Sequence, residues 1–341
     1  MNREPDVHDS DDLHVVSAGP GNPYSVLTPL RIRVMRSLHD SPSYTSVADS
    51  VRLPVEEVRA EVEELVSAGL VVEEEGERRP TFLIVDGVEA QRVSVDAQEC
   101  GHQLAESLVN RWQGIQLCFE RLHLSHEFDF RDMAFLLVGD MVLDTGLLNA
   151  LARDGTLMPP APARPRPDYL DARYFSWMIE GDHDQLGKYG QRAVGQFLGT
   201  WFLLTFGQYW IHGTPNSARS DFEAVARHEL ANQEHTCSLA RQLGIPAVDR
   251  EEASLWAEAA VVWTDDLVLV YKQRESKLRQ LYGTLRAAQY LPHGFGEFLC
   301  WYDHVAYASA IDALAAAGEL SIPPDRFTAA LWYDDAARAI F

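Results

Sequence analysis

The chain has 341 residues, of which 51 are acidic and 29 are basic, so it carries a net charge of −22 at pH 7. This charge excludes a broadly basic nucleic-acid coat, because a negative surface repels phosphate. The length predicts two domains, and the second is long enough for a sizeable hydrophobic core. The four cysteines form no CxxC pair, which is typical of a reducing cytoplasm.

The first 22 residues predict a mobile acidic tail. Residues 1–18 lack the basic start and the apolar core of a secretory signal. No uncharged apolar run elsewhere reaches the length that a membrane-spanning helix needs. We therefore expect a cytoplasmic protein that does not enter a membrane.

Residues 23–90 have the pattern of three helices followed by two short strands. Apolar residues recur at helical spacing in VLTPLRIRVMRSLHD, in SVADSVRL and in PVEEVRAEVEELVSAGL. Pro54 suits the first turn of the third helix, and Gly69 suits its C-terminal cap. The run LVVEEEGERRPTFLIV then predicts two strands around a GERRP turn.

Within this pattern, the run VEELVSAGLVVEEE resembles the recognition helix and the first wing strand of ArsR-type and MarR-type winged-helix regulators. The resemblance covers about a fifth of the chain. It implies a winged helix-turn-helix domain over residues 23–90 that binds double-stranded promoter or operator DNA. The arginines predicted to contact DNA are Arg52, Arg59, Arg78 and Arg79.

The charge of this segment opposes DNA binding. From Pro23 to Val88 there are seven arginines, no lysine and twelve acidic residues, which leaves a local charge of −5. On the third helix, Glu56, Glu57 and Glu61 take positions that would face a major groove, where carboxylates repel phosphate. A winged helix that docks a protein or forms a dimer is the alternative.

A long connecting helix is predicted over residues 91–130, between the winged helix and the second domain. Its apolar residues follow a spacing close to a heptad seam. They are Leu104, Leu108, Trp112, Ile115, Phe119 and Leu122. Two interpretations stay open: the seam pairs the subunits of a homodimer, or it packs on the second domain of its own chain.

Residues 131–341 predict an all-α effector-binding domain. From Asp171 onwards, six segments show helical patterns and none shows strand alternation. A proline-rich excursion over residues 155–170 interrupts this domain, because its five prolines favour an extended chain. The predicted fold class is therefore mainly α, with a winged helix that carries a small β-hairpin and a helical bundle after it.

Aromatic residues of the second domain are candidates for the wall of a ligand pocket. Such side chains bind planar or hydrophobic small molecules between helices. The predicted ligand-binding residues are Trp177, Trp201, Tyr209, Trp210, His212, Trp263 and Trp301. Ordinary core packing is the alternative for each of them.

Two predicted helices carry pairs of metal-binding side chains. His228 and His235 lie on one stripe of the first, and Glu297 and His304 are seven residues apart on the second. This arrangement loosely resembles the metal-bearing bundles of ferritin-like and haem-oxygenase-like proteins, which implies iron or another divalent metal. Asn232 stands where that pattern has a carboxylate. Hydrogen-bonded core histidines, with no cofactor, are the alternative.

Carboxylates also interrupt two apolar helices. Asp140 and Asp144 lie four residues apart in one, and Asp265 adjoins Asp266 in the other. Buried carboxylates are costly unless they are paired, hydrogen-bonded or ligated. The arginines available to pair with them are Arg173, Arg192 and Arg274. A cationic ligand is a second interpretation, and an exposed helical edge is a third.

Several enzyme classes are excluded by motif. The chain has no GxGxxG after a strand, no GxxxxGK[ST], no HExxH and no GxSxG. We therefore expect a dimeric transcriptional regulator, in which a small-molecule effector bound to the helical domain changes the spacing of two winged helices. The alternative is a metal-dependent, oxygenase-like helical enzyme whose winged helix docks or dimerises, and a non-catalytic scaffold is a third interpretation.

Overall fold

The computed structural model describes residues 13–19, 21–74, 76–164, 173–191, 196–197, 201–208, 233–323 and 327–333. Most of these residues are helical, and two small sheets and one hairpin complete the described fold. The mainly α fold class is thus confirmed.

Three helices and a hairpin follow one another in this part of the chain, and the helices lie where the apolar spacing predicts them. They are α1 (Pro29–Asp40), α2 (Tyr44–Val51), α3 (Val55–Ser67), β2 (Val71–Glu74) and β3 (Glu77–Pro80). The two strands pair antiparallel. We call these five elements the helix-hairpin unit. The predicted position of the second strand is wrong, because Glu77–Pro80 of the predicted GERRP turn forms that strand and Leu83–Val85 pairs outside the hairpin.

Local sequence determines where these helices begin and end. The Thr28 hydroxyl accepts a hydrogen bond from the N–H of Arg31 at 3.2 Å, which caps α1 ahead of Pro29. Arg52 ends α2 in the left-handed region at φ 59°, and Gly69 follows α3 at φ 71°. The inward faces of the three helices then share one buried core.

The prediction of a mobile N-terminal tail is wrong from residue 13 onwards. Leu13–Ala18 forms strand β1, and its first four residues are buried. β1 pairs antiparallel with β5 (Phe175–Glu180), and β5 pairs in parallel with β4 (Leu83–Val85). The acidic residues stop at Asp12, so the apolar strand that follows buries surface that a mobile tail would leave in water.

The sheet of β1, β5 and β4 separates two hydrophobic cores. Successive side chains of a strand point to opposite faces of its sheet. On one face, Val15 and Met178 join the core of the helix-hairpin unit. On the other face, Val16 and Trp177 join the core of the helices that follow. The sheet therefore belongs to both parts of the molecule.

The most extensive helix–helix packing joins α4 (Gly87–Val109) to α11 (Phe295–Ala316). At Gly101 the two backbones approach so closely that a Cβ atom would strike the carbonyl oxygen of Ala306. Only glycine fits this crossing, because any other residue would force the helices apart. α4 starts directly after β4, so the helix-hairpin unit is joined to the rest of the chain without a flexible linker.

The predicted heptad seam faces the interior of its own chain. It is interrupted between α4 and α5 (Trp112–Phe119), and each of its six residues is at most 8% exposed. These residues join a core that includes α10 (Arg250–Gly283) and α11. The interpretation that this seam pairs two subunits is therefore wrong, because the chain already covers these side chains.

One continuous helical run consists of α6 (Phe130–Ala134), a π-helical segment (Phe135–Asp144) and α7 (Thr145–Asp154). Among the described helices, this run alone is long and apolar enough to span a membrane, but 89% of its most apolar window is buried inside the protein. Length and composition are weak evidence that this run spans a membrane, since the core helix of a protein outside the membrane has the same properties. The π-helical turns are notable because such turns are frequent at functional sites.

A second sheet contradicts the prediction of an all-α second domain. Its strands are ordered β6 (Tyr189–Gln191), β8 (Trp201–Gln208), β10 (Phe327–Tyr333) and β9 (Ala247–Val248), with β7 (Gln196–Phe197) beside β8. β5 and β8 both fall in segments that the apolar pattern predicts as helical. β5 is buried on both faces, and the periodicity of such a continuously apolar strand does not distinguish it from a helix.

The remaining described elements are short. They are α8 (His183–Leu186), α9 (Gln233–Gln242) and two 3₁₀ turns, His123–His126 and Arg286–Gln289. Residues 155–164, the described part of the proline-rich excursion, contain no helix, as the sequence predicts. This excursion passes from α7 towards β5.

Candidate functional site

Two of the predicted DNA contacts, Arg59 and Arg78, meet over the ring of Tyr44. Their guanidinium carbons lie 4.7 and 4.1 Å from the centre of that ring. Tyr44 is the first residue of α2, whereas Arg59 lies on α3 and Arg78 on β3. We call these three residues the Arg–Tyr–Arg cluster. It joins the start of one helix, the exposed face of the next and the hairpin.

Each arginine of the cluster also meets a carboxylate. Arg59 lies 3.5 Å from Glu56, and Arg78 pairs with Glu73. The Arg59 side chain is 45% exposed and that of Arg78 is 17% exposed, so Arg59 is the more accessible. Exposed ion pairs contribute little to stability in water. An incoming anion would therefore displace the Glu56 carboxylate from Arg59 at low cost.

The other two predicted DNA contacts have different surroundings. Arg52 is exposed at the left-handed turn between α2 and α3. Arg79 follows Arg78 on β3 and so points to the opposite face of the hairpin. It lies 5.6 Å from the centre of the Tyr290 ring and pairs with Glu77 at 3.1 Å. Arg79 thus packs against the helices and strands that follow the helix-hairpin unit, which we call the second part of the chain.

The C-terminal end of α1 also contacts the second part of the chain. Nδ1 of His39 lies 2.8 Å from the hydroxyl oxygen of Tyr290, and Arg286 donates to the Asp40 carboxylate at 2.7 Å. His39 is buried, and this burial lowers its pKa to about 4. The imidazole is therefore neutral at physiological pH and serves as a fixed hydrogen-bonding contact.

Arg164 links the base of the hairpin to α11. Its Nη2 donates to the carbonyl oxygen of Thr81 at 2.8 Å and to Oε1 of Glu297 at 2.7 Å. It also donates to the carbonyl oxygen of Tyr174. Burial raises the pKa of Glu297, and the charge of Arg164 opposes that rise. Glu297, a predicted metal ligand, is thus the partner of a buried guanidinium.

His304, the second predicted ligand on α11, packs among aromatic rings. Its ring centre lies 4.8 Å from that of Trp177 and 5.0 Å from that of Tyr307. Nδ1 lies 2.9 Å from the carbonyl oxygen of Cys300, and burial lowers the pKa of the imidazole to about 4. The described residues do not bring Glu297 and His304 together as metal ligands.

The rest of the predicted metal set falls in a part of the chain that is only partly described. His228 and Asn232 lie outside the described residues, as does the side chain of His235, whose backbone belongs to α9. Among the described residues, one group of three has the spacing of metal ligands: His123, Asp249 and Glu252.

The predicted aromatic pocket residues are dispersed in the structure. Trp177, Trp263 and Trp301 belong to the large core, whereas Trp201 belongs to a smaller one near β10. All four are at most 7% exposed. Nε1 of Trp301 donates to the carbonyl oxygen of Gln185 at 2.7 Å. Tyr209, Trp210 and His212 lie outside the described residues.

The two aspartates of the π-helical segment are buried without an ion pair among the described residues. Burial raises the pKa of Asp140 well above its ordinary range and raises that of Asp144 to about 7. The Thr145 hydroxyl donates a hydrogen bond to the Asp140 carboxyl at 3.2 Å. The Asp144 carboxyl forms hydrogen bonds with the Tyr307 side chain and with the backbone of Gln191. Arg192 lies outside the described residues.

The other predicted arginine partners have different acceptors. Arg274 pairs with Asp96 at 2.9 Å, and Arg173 donates to the carbonyl oxygen of Ala161. On α10, Asp265 and Asp266 form partly exposed ion pairs with Arg153 and Arg111, at 3.7 and 2.8 Å. This second pair of aspartates therefore lies at a helical edge and forms salt bridges within the chain.

A cavity of about 1280 Å³ lies beside α9 and α10. It lies between the 3₁₀ turn at His123, α9 and the start of α10, and many of its lining residues are charged. These charged residues are Arg121, His123, Glu127, Arg241, Asp249, Arg250, Glu251 and Glu258. None of the predicted aromatic ligand residues with a described position lines it.

Sequence reasoning missed Tyr44, Arg164 and His123. A tyrosine in the polar SPSYTS turn and two histidines three apart in HLSH are weak local signals. Arg164 has no local signal, because its partners Thr81 and Glu297 are distant in the chain.

Comparison of the chain with known protein families, curated proteins and solved structures found no match.

Proposed function

We propose that the protein is a cytoplasmic transcriptional regulator that binds double-stranded promoter or operator DNA through a winged helix-turn-helix domain. Residues 23–90 would form this domain, with α3 as the recognition helix and β2–β3 as the wing. The order of three helices and a hairpin supports the proposal. In such domains the recognition helix enters the major groove, and neighbouring elements contact the backbone.

The observation that carries the proposal is the Arg–Tyr–Arg cluster. It brings two guanidinium groups and a tyrosine together where the start of α2, the face of α3 and the hairpin meet. Arginine and tyrosine side chains are common donors to phosphate oxygens. The acidic residues of α3 restrict this function, because they weaken non-specific attraction to DNA. We therefore expect the regulator to bind only at low to moderate salt.

The second part of the protein would sense a small-molecule effector. Effector binding there would reach the winged helix through the contacts of α1 and the hairpin. These contacts include Arg36 with Glu180 of β5 at 2.9 Å, and Arg79 over the ring of Tyr290. A homodimer would place two winged helices on half-sites about one helical turn apart. Its interface would lie on a surface other than the buried heptad seam.

Fluorescence anisotropy with labelled fragments of the flanking genome tests the proposal. Arg59→Ala and Arg78→Ala should each weaken binding, and the removal of one phosphate interaction should reduce the log–log salt slope by about one unit. Arg92→Ala is the matched control, because Arg92 is exposed on α4 outside the helix-hairpin unit. Absence of binding to every fragment at low salt would refute the proposal.

A further inference from the structure

We propose that His123, Asp249 and Glu252 bind a divalent metal ion beside the 1280 Å³ cavity. Each side chain offers one ligand atom, and the three atoms lie within 4.8 Å of one another. Two ligand atoms that each lie about 2.0–2.2 Å from one ion are at most about 4.4 Å apart, so a small rotation of the exposed His123 side chain would bring the three atoms to bonding distance. This inference does not depend on DNA binding.

The two carboxylates are held in place before any ion binds. Asp249 is the N-cap of α10 and accepts a hydrogen bond from the N–H of Glu252 at 2.9 Å. In return, Oε2 of Glu252 accepts one from the N–H of Asp249 at 3.1 Å. This reciprocal capping box fixes both side chains at the start of the helix. Metal binding would therefore require little ordering of either carboxylate.

Glu252 is also hydrogen-bonded to the turn that carries the histidine. Oε1 of Glu252 accepts a hydrogen bond from the N–H of Leu124 at 3.2 Å. Leu124 directly follows His123, so this bond holds the backbone of the turn beside the start of α10 and leaves the imidazole within reach of the carboxylates. Helix capping explains why Asp249 and Glu252 are present, but it gives no role to an exposed imidazole at the same place.

The charges around the cavity favour a divalent cation. Nη2 of Arg241 pairs with Glu252 at 2.6 Å and orients that carboxylate. Among the described lining residues and Glu252, five carboxylates face three guanidinium groups, which leaves a charge of −2 when the imidazole is not counted. A divalent ion would neutralise this charge.

The ligand types point to a zinc-like ion. One imidazole and two carboxylates suit Zn²⁺ and the neighbouring divalent transition metals, whereas Ca²⁺ and Mg²⁺ prefer sites made of oxygen alone. Three protein ligands leave at least one coordination position for water or another ligand, as in catalytic rather than structural zinc sites. His123 is exposed and lines the cavity, so that position would be reached from the cavity side.

Titration of the full-length, tag-free and chelator-treated protein with Co²⁺ tests the proposal, because Co²⁺ absorbs visible light and reports its ligands. We expect one equivalent to bind per chain and Zn²⁺ to displace it. Asp249→Asn and Glu252→Gln should weaken binding about tenfold or more. Asp249→Asn keeps the capping box, since Asn caps helices, so its fold should survive. Glu252→Gln also keeps the box, since Gln suits the third position, but it leaves the guanidinium of Arg241 without its counter-charge, so the free energy of unfolding of this variant is measured beside its Co²⁺ affinity.

His123→Ala should weaken binding as strongly, and circular dichroism should show an unchanged fold. His293→Ala is the matched control, because His293 is exposed and lies outside this group. The proposal is wrong if no stoichiometric Co²⁺ binding occurs. It is equally wrong if the three ligand variants bind Co²⁺ as tightly as the parent protein, or if His293→Ala weakens binding to the same degree.

Discussion

Arg164 and Glu297 form an ion pair in which Nη2 lies 2.7 Å from Oε1, and neither side chain is more than 4% exposed. Arg164 belongs to the end of the described proline-rich segment, and Glu297 lies in the first turn of α11. Because Arg164 also donates to the carbonyl oxygen of Thr81, the pair ties the base of the hairpin to the second part of the chain.

Removal of one partner of this pair should strongly destabilise the protein. In Glu297→Gln, the guanidinium of Arg164 stays buried without a counter-charge, which typically costs about 3–5 kcal/mol. Urea denaturation followed by circular dichroism measures the free energy of unfolding. Arg164→Met with Glu297→Leu removes both charges and should cost less than Glu297→Gln alone.

An exposed pair on α10 provides the control. Glu275 and Arg279 lie 2.8 Å apart with half-exposed side chains, so Glu275→Gln should change the free energy of unfolding by less than about 0.5 kcal/mol. Equal effects of Glu275→Gln and Glu297→Gln would contradict the importance of burial at Arg164.

Asp144 should make the protein less stable as the pH rises. Burial raises the pKa of Asp144 to about 7, above that of an unfolded aspartate. The folded state therefore holds this proton more tightly, and the stabilisation is complete below the unfolded pKa and is lost as the pH rises through about 7. In Asp144→Asn, the free energy of unfolding should fall less between about pH 5 and about pH 8.

Asp265→Asn is the control for this experiment, because the Asp265 side chain is 67% exposed. Its stability profile should follow that of the parent protein. If Asp144→Asn also follows the parent profile, the Asp144 carboxyl does not titrate differently in the folded state.

Substitutions of Ile115 and Leu117 should show whether the apolar face of α5 packs in its own chain or contacts a second subunit. Ile115 is fully buried, so Ile115→Ala should cost about 2–5 kcal/mol by leaving a cavity. Leu117 is 52% exposed on the same helix, so Leu117→Ala should cost less than about 0.5 kcal/mol. Light scattering should give the same molar mass for both variants and for the parent protein. If Ile115→Ala is a monomer and the parent is an oligomer, the heptad seam does pair two subunits.

Glu57 should weaken the DNA binding proposed for the helix-hairpin unit. Glu57 is exposed in the first turn of α3, and Glu57→Gln removes a charge that repels phosphate. The gain should be about 1 kcal/mol, or roughly fivefold in affinity at low salt. Glu106→Gln on α4 makes the same charge change outside the unit and should bind DNA as the parent does. Equal affinity of all three proteins would place Glu57 away from the DNA.

The parts of the fold with clear periodicity were predictable from the sequence. Pro54, Gly69 and the apolar spacing between them define α3. β5 was not predictable, because its residues are buried on both faces and show no alternation. The seam around Leu108 was identified as an apolar face, but periodicity does not identify the partner of that face. Its partners in the core include α11, which lies about 200 residues further along the chain.

The candidate sites also divide into those with a local sequence pattern and those that depend on distant parts of the chain. Arg59 and Arg78 were predicted because they belong to a recognisable local pattern. The proximity of His123 to Asp249 and the ion pair of Arg164 with Glu297 involve positions more than 100 residues apart. Such pairs depend on the path of the whole chain, and a single sequence carries no local signal for them.

The position of β5 has a consequence for the order in which the chain folds during synthesis. Met178 of β5 fills the core of the helix-hairpin unit, and β1 finds its pairing partner in β5. A ribosome has to add more than 150 residues after β1 before this strand exists. β1 and the helix-hairpin unit therefore emerge with an unpaired strand and an incomplete core, and a fragment that ends before β5 would expose apolar surface and an open sheet edge to other chains.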